Sequence, residues 1–470
     1  MAWRSLLVLV AVAAGGCAVG PDYEPVEPAL PETFTEADDL GDPDSTPIEG
    51  LWRSLGNTEL TGLIDRALAN NTTIAQALAT LNETRALSGL AVYSLLPTVG
   101  VSADYERSRF SVDDPLAFPG LGVVERYRAG FDAAWEIDLF GSLRRQAEGF
   151  AYLVEADEAT VYAVELSIVA EVAQTYFQWQ GESLRLRILE ENLANQADSV
   201  AILEAGLEAG RGTAFDVARA RAVERQIAAA VPLAEAAIIR AEQRLAVLAR
   251  LPVDELRAEL SPPTSLPALP PLVAVGTPED WLPRRPDVRP AEGRLAAATA
   301  DIGVATAEFY PQLTLVGDFG WTGISSSAIG NSDTDRWRVA PGISWRILDS
   351  ARVRREVNAA EARAEGALAA FEEAWLVALE ETENALANYR ATTERVARLE
   401  EAAGEAKEAA RLARLRFDVG VDSFLAVLDA ERTRIELEDL LAQARTDRAT
   451  ALAALFKALG GDFAMADRTR

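Results

Sequence analysis

Chemistry in this chain is bounded first by what it lacks. Of 470 residues none is His and only one is Cys, Cys17, so the commonest general base and metal ligand are both missing. A Ser or Cys nucleophile would need another base, and no spacing of Cys, Asp and Glu reads as a metal site. No enzyme, cofactor or metal is therefore expected. The thiol has a different use. Met1 to Gly16 carries one early cation, Arg4, then an apolar run from Leu6 to Ala14 and two glycines, which is a secretory signal peptide too short to span a membrane permanently. Cleavage leaves Cys17 first, where a thiol serves for lipid attachment. The formal net charge of −28 would repel phosphates and argues against a nucleic-acid partner.

The remaining chemistry is electrostatic and sits on strands. Tyr127, Ala129, Phe131, Ala133, Trp135, Ile137 and Leu139 alternate with Arg126, Arg128, Asp132, Glu136 and Asp138, and Val99, Val101, Ala103 and Tyr105 alternate with Ser102, Asp104 and Glu106. Further on, Leu313, Leu315, Phe319 and Trp321 alternate with Gln312, Thr314 and Asp318, and Trp337, Val339, Ile343, Trp345 and Ile347 with Arg336, Arg338, Ser344 and Arg346. Period-two strands of this kind have one apolar and one wet face. A soluble sandwich would show the same alternation. Charges of both signs on the wet face suit a channel lumen, with Arg126, Arg128, Arg336 and Arg338 toward one end and Asp132, Glu136 and Asp138 toward the other. Trp321 and Trp337 at the loop end and Trp135 and Trp345 at the helix end suit interfacial girdles. Four strands leave two open edges and cannot close a barrel, so the chain must oligomerise. Two copies would supply eight strands and three would supply twelve.

The elements that position these residues are written twice. Trp135 precedes Trp345 by 210 positions, as Arg144 and Arg145 precede Arg354 and Arg355, and ALSGLAVYSLLP answers ADIGVATAEFYP at an offset of 214. Each copy reads helix, two strands, a very long helix and a returning helix. We therefore expect a signal peptide over 1–16, an extended segment over 17–57, a first repeat over 58–250, a Pro-rich linker over 251–285, a second repeat over 286–460 and a tail over 461–470. The strands should occupy about 97–110, 123–140, 311–323 and 335–348. The helices should occupy about 141–208, 213–250, 351–418 and 422–459, the longest about 100 Å at 1.5 Å per residue. From Leu368 to Phe417 a seam of apolar residues and Thr alternates spacings of three and four, which is a coiled coil rich in Ala. Gly210, Gly212 and Gly420 mark tip turns, and Thr213, with Ser423 or Asp422, can cap the returning helices. The fold class is thus a mixed α+β membrane protein, mostly long helices with four transmembrane strands.

Several stretches carry a resemblance. Ala14-Gly15-Gly16-Cys17 resembles the bacterial lipoprotein box, with Ala14 at its usual Leu. Ala18 follows the cysteine where an Asp would resemble an inner-membrane retention signal. GPDYEPVEPALPETF after the cysteine, WEIDLFGSLRR from Trp135, LPRRPDVRPAEGRLAAATADIGVATAEFYPQLTL from Leu282 and RFDVGVDSFLAVLDAER from Arg416 resemble the TolC-like outer-membrane factors, closest to their lipid-anchored, OprM-like branch. The resemblance implies a homotrimer with a twelve-stranded barrel in the outer membrane, continued by a periplasmic helical tunnel. It also implies a periplasmic adaptor and an inner-membrane transporter, of the RND type, as partners. Its function would be a passive exit duct for small toxic compounds.

In that family an Asp of the LDAQR-like stretch and an aromatic 12 positions earlier narrow the periplasmic entrance, which here are Asp429 and Phe417, the latter Phe where Tyr is usual. Three copies of Asp429 around an axis would repel one another and select against anions. Arg219, its repeat equivalent, would form a latch, and Asp422 stands beside it at the tip. A protein-secretion conduit on the same fold and a non-channel scaffold lipoprotein are the alternative readings.

Overall fold

The computed structural model describes residues 18–36, 50–109, 122–270, 277–282 and 285–461. The signal peptide and Cys17 lie outside the described residues. In chain order the described elements are α1 (Leu51–Ser54), α2 (Thr58–Asn70), α3 (Thr72–Tyr93), β1 (Thr98–Arg109), β2 (Val123–Ile137), α4 (Ser142–Glu208) and α5 (Ala214–Ala249). They continue with α6 (Val253–Glu259), α7 (Pro278–Trp281), α8 (Arg289–Ala307), β3 (Gln312–Gly323), β4 (Asp335–Ser344), α9 (Ser350–Asp418) and α10 (Phe424–Ala458). None of the described helices is long and apolar enough to cross a membrane.

The chain divides into two compact units, and they cut across the repeats. One takes the described residues of 1–27 with 80–158 and 290–372, and the other takes 28–79, 159–289 and 373–461. Each draws on both copies, because strands pair with strands and long helices pack on long helices whichever copy supplies them.

The first unit is built on one antiparallel sheet in the order β1-β2-β3-β4. The register places odd-numbered residues opposite odd-numbered ones throughout, for example Val101↔Phe131, Phe131↔Phe319 and Phe319↔Trp337. The four apolar sets therefore share one face, and the charged sets share the other. At the middle of the sheet Gly130 lies opposite Gly320. A Cβ on Gly130 would come within 2.6 Å of the Phe319 carbonyl oxygen, so the close approach of β2 and β3 requires glycine there. Two strands stop earlier than their alternation suggests. β4 ends at Ser344, opposite Gln312, the first residue of β3, because Pro311 cannot extend the ladder. β2 ends at Ile137, opposite Leu313. Trp345 and Ile347 thus lie just past the sheet. Helices α4 and α8 also meet at small residues in this unit, where a Cβ on Gly293 would come within 2.9 Å of the Ala156 Cβ.

The second unit has a helical core. Leu60 and Ile64 of α2, Val172 and Phe177 of α4, Leu245 of α5, Tyr389 of α9 and Leu452 and Phe456 of α10 are buried in one cluster. Trp52 closes it with ring centroids 4.8 Å from Phe456 and 6.2 Å from Phe177. Along α9, Thr382, Tyr389, Val396, Ala403 and Ala410 are all buried. They recur every seven residues, the spacing of a coiled-coil seam. Both long helices end in the same way. Gly210 (φ 74°) and Gly420 (φ 77°) take left-handed conformations, and the Arg211 N–H donates to the Gly206 carbonyl as the Val421 N–H does to that of Arg416. These are Schellman closures that satisfy the last carbonyls.

Candidate functional site

Two regions carry the charges that the sequence points to, the wet face of the sheet and the tip turns of the second unit. On the sheet, the arginines are paired across strands. Arg126 Nη1 lies 3.4 Å from Glu106, Arg128 Nε 3.8 Å from Asp104, and Arg338 Nε donates to Asp318 at 2.8 Å while Arg336 donates to the other oxygen of the same carboxylate. The expected cationic end is thus an interleaved ladder of both signs. Alternation told which residues share a face, and only the register told which neighbours they meet. Asp132 leans toward Gly100, where an added Cβ would come within 2.8 Å of its carboxylate. Glu136 lies on the same face near the helix end of β2. Asp138 needs correcting as a lumen residue. It lies past the end of β2, and its carboxylate accepts from the Arg144 backbone N–H at 3.0 Å and from Arg144 Nε at 3.2 Å, so it caps α4.

The tryptophans flank the sheet. Trp321 and Phe319 make an edge contact at 5.5 Å, and Phe319 is opposite Trp337. At the helix end, Trp135 Nε1 donates to the Leu95 carbonyl and Trp345 Nε1 to that of Phe309, each at 3.0 Å. Each indole therefore keeps its polar edge satisfied while its ring stays on the apolar side.

At the tip, Arg219 and Asp429 approach to 3.6 Å, with the Asp429 side chain 71% exposed. That is an ion pair, but it is too long for the charge-assisted hydrogen bond a latch would use. Phe417 does not project freely. Its ring makes an edge contact with Phe424 at 5.0 Å and packs on a cluster of Val200, Leu203, Val217, Ala220, Val427 and Leu428. Asp422 does not cap α10. It accepts from Arg416 at 3.2 Å through Nη2 and also from Nε, and the guanidinium holds its carboxyl below the usual carboxylate value. Nor does the Ser423 side chain cap α10, whereas Thr213 forms a capping box with Asp216. Gly212 has an ordinary φ and a close neighbour, the Leu207 N–H, 3.2 Å from where a Cβ would stand.

Sequence reasoning missed two clamps. Arg145, nearly buried, donates to Asp22 at 2.5 Å, to Glu148 at 2.8 Å and to the Val19 carbonyl at 3.3 Å. A Cβ on Gly20 (φ 91°) would come within 2.4 Å of the Gly303 Cα, and one on Gly303 would come within 2.9 Å of the Arg145 side chain and the Val19 carbonyl. In the second unit, Arg285 donates to the carbonyls of Ala378 and Ala458 at 3.0 Å, to Glu381 at 2.8 Å and to Asp287 at 2.8 Å. Both arginines stand in stretches that carry the family resemblance, which was the available signal.

The description "Outer membrane efflux protein" fits residues 63–249 and 277–461, two segments that follow the two repeats. The chain belongs to the outer membrane efflux protein family. Among its relatives, the outer membrane protein OprJ of Pseudomonas aeruginosa is 31% identical over 459 residues, covering 97% of this chain and 95% of OprJ. The toluene efflux pump outer membrane protein TtgI of Pseudomonas putida is 30% identical over 475 residues and covers 99% of each. Among solved structures, the outer-membrane channel OprN superposes with a TM-score of 0.88 at 38% identity, covering 95% of this chain and 99% of that one.

In this outer membrane efflux protein the sheet ladder and the tip turn each yield a measurable outcome. Asp318→Asn leaves Arg336 and Arg338 facing one another without their carboxylate, so reversal potentials in a salt gradient should shift toward anion preference, while an unmoved potential would place Asp318 away from the ion path. The Asp422 pair has a defined pH window. Its folded value lies below the ordinary 3.8, so it stabilises the turn fully above that value and the contribution is lost as pH falls through the lower folded value. A spin label at Val421 should gain mobility in that acid range, and Asp422→Asn should abolish the pH dependence.

Proposed function

We propose that three copies of this protein form a passive outer-membrane exit duct that carries small toxic compounds out of the periplasm as part of a tripartite efflux pump. The observation that carries the reading is the four-stranded sheet. Its apolar face is exposed, with Val101, Trp337 and Ile343 all more than 70% accessible, its opposite face is charged, and β1 and β4 each have one edge without a strand partner among the described residues. Three such sheets edge to edge give twelve strands, enough to enclose a pore and leave no open edge in lipid. Nothing in the charged ladder selects one cargo, which fits a duct that relies on partners for recognition. The relatives named above include a toluene efflux pump component, and small apolar toxicants are a cargo class compatible with the same wall.

The tip supplies the regulated step. Three copies of the exposed Asp429 near an axis repel one another and attract cations, and the weak contact with Arg219 leaves that ring free to respond. A periplasmic adaptor and an inner-membrane transporter of the RND type would open it. Ala18, which follows Cys17 in the chain, is packed against Gly141 at the β2–α4 junction, and this supports an anchor near the barrel. A lipid on Cys17 would therefore enter the membrane beside the barrel.

In planar bilayers the purified protein should conduct, and Asp429→Ala should raise its conductance by about twofold or more as the axial charge is removed. A protein that never conducts would be a scaffold, and an Asp429→Ala conductance unchanged across a salt series would take Asp429 out of the gate. The anchor has its own check. Labelled palmitate should enter the wild type and be absent from Cys17→Ala, and equal labelling would refute attachment at that thiol.

A further inference from the structure

The two repeats carry the same arginine pair at the start of a long helix, and only one pair is satisfied. In the first repeat Arg144 meets Asp138 at 3.2 Å, and Arg145 meets Asp22 and Glu148 at 2.5 and 2.8 Å. In the second repeat Leu348 stands where Asp138 stood and Asn358 where Glu148 stood. Arg354 and Arg355 make no hydrogen bond or ion pair with any described residue, whereas their neighbours Arg346 and Arg352 are paired with Glu308 and Glu356. The charge balance has changed with the partners. Residues 346–355 hold four Arg and one Asp, net +3, against two Arg, one Glu and one Asp, net 0, over 136–145. The start of α9 adds the partial positive charge of a helix N-terminus.

Exposed apolar residues stand beside these charges. Leu348, in place of the lost carboxylate, is 97% exposed and Ile347 is 60% exposed, next to Ile343 and Trp345 on the apolar side of the sheet. Between α8 and α9 lies a cavity of about 510 Å³, walled by Val304, Ala305, Ala359 and Ala360 and bordered by Arg352, Arg355 and Arg363 together with Asp301, Glu308 and Glu356. Of these carboxylates, Glu308 and Glu356 are already paired with Arg346 and Arg352. Water alone would accept two exposed guanidinium groups. It would not favour a bare Leu and Ile beside them, since such residues gain only where the cations have an anion and the apolar groups have acyl chains.

We propose that the first turns of α9 bind the phosphate headgroup of an anionic phospholipid in the periplasmic leaflet of the outer membrane. Arg354 and Arg355 hold the phosphodiester, and Ile347, Leu348 and the cavity wall take the glycerol and upper acyl chains. The first repeat cannot do this, because Asp138, Glu148 and Asp22 already occupy its arginines. The proposal rests on the sheet being a membrane barrel, and the test separates the two.

The full-length protein is reconstituted in phosphatidylcholine vesicles with trace spin-labelled phosphatidylglycerol or spin-labelled phosphatidylcholine, and the motionally restricted fraction of each label is read. The expected result is a preference for phosphatidylglycerol of about tenfold at low salt, from two arginines near the lipid surface. It should fall toward parity in Arg354→Gln/Arg355→Gln and in about 1 M NaCl, where charges are screened within about 3 Å. Added inorganic phosphate should leave it unchanged. Equal restriction of both labels in the wild type, or a preference kept by the double variant, overturns the site. So does a preference abolished by inorganic phosphate, which would mark a free-anion site. If the double variant fails to assemble, each single variant and the wild-type salt series decide. Loss of assembly without any wild-type lipid preference would assign the arginines to a second copy of the chain and refute the lipid. Restriction of neither label would instead refute the barrel.

Discussion

The two outer edges of one four-stranded sheet set the terms for the rest of this protein. β1 and β4 each present backbone N–H and C=O groups without a strand partner among the described residues, on a sheet whose apolar side chains are exposed. In water that face would seek a cover, and in lipid those edges would each cost several kcal/mol for every unsatisfied group. A second copy of the same sheet satisfies both demands at once, because it adds strands at the edge and continues the apolar band. Close approach inside the sheet follows the same logic. Gly130 and Gly320 give up side chains so that β2 and β3, from different repeats, can pair across the middle.

Duplication supplies the parts, and divergence between the copies supplies their roles. The Schellman turns at Gly210 and Gly420 share three backbone hydrogen bonds, to which the second adds one from the Asp422 N–H to the Arg416 carbonyl, and the indole contacts of Trp135 and Trp345 are alike. The returning helices start differently. Thr213 closes a capping box with Asp216, while in the second copy Asp422 turns to Arg416 and leaves the α10 start without a side-chain cap. That places the helix start without a side-chain cap beside Asp429. At the other end of the long helices, the arginine pair is satisfied in one copy, with Arg145 buried under the N-terminal strap, and left open in the other.

Long-range clamps tie the irregular segments down. Arg145 fastens the strap at Asp22, 123 positions away, and Arg285 fastens the chain before α8 to the end of α10, 173 positions away at Ala458. A guanidinium is suited to both places, since its five donors can serve several carbonyls and carboxylates at once. Arg285 is the costlier to disturb, because removing it would leave the buried carbonyls of Ala378 and Ala458 without this donor.

The sequence by itself determined the periodic features. The period-two strands, the heptad seam through Thr382, Tyr389 and Val396, the glycine-closed tips and the duplication are all written in neighbouring residues, because each depends on local geometry repeated along the chain. Only the tertiary structure decided which charges meet. The Arg336–Asp318 and Arg128–Asp104 pairs depend on strand register, and the role of Asp138 as a cap depends on where β2 stops. The burial of Phe417 against Phe424 depends on how four helices converge at the tip, and Arg145 owes its partner to the path of the strap. An electrostatic contact needs two groups within a few ångströms, and residues a hundred positions apart reach that distance only once the chain has folded.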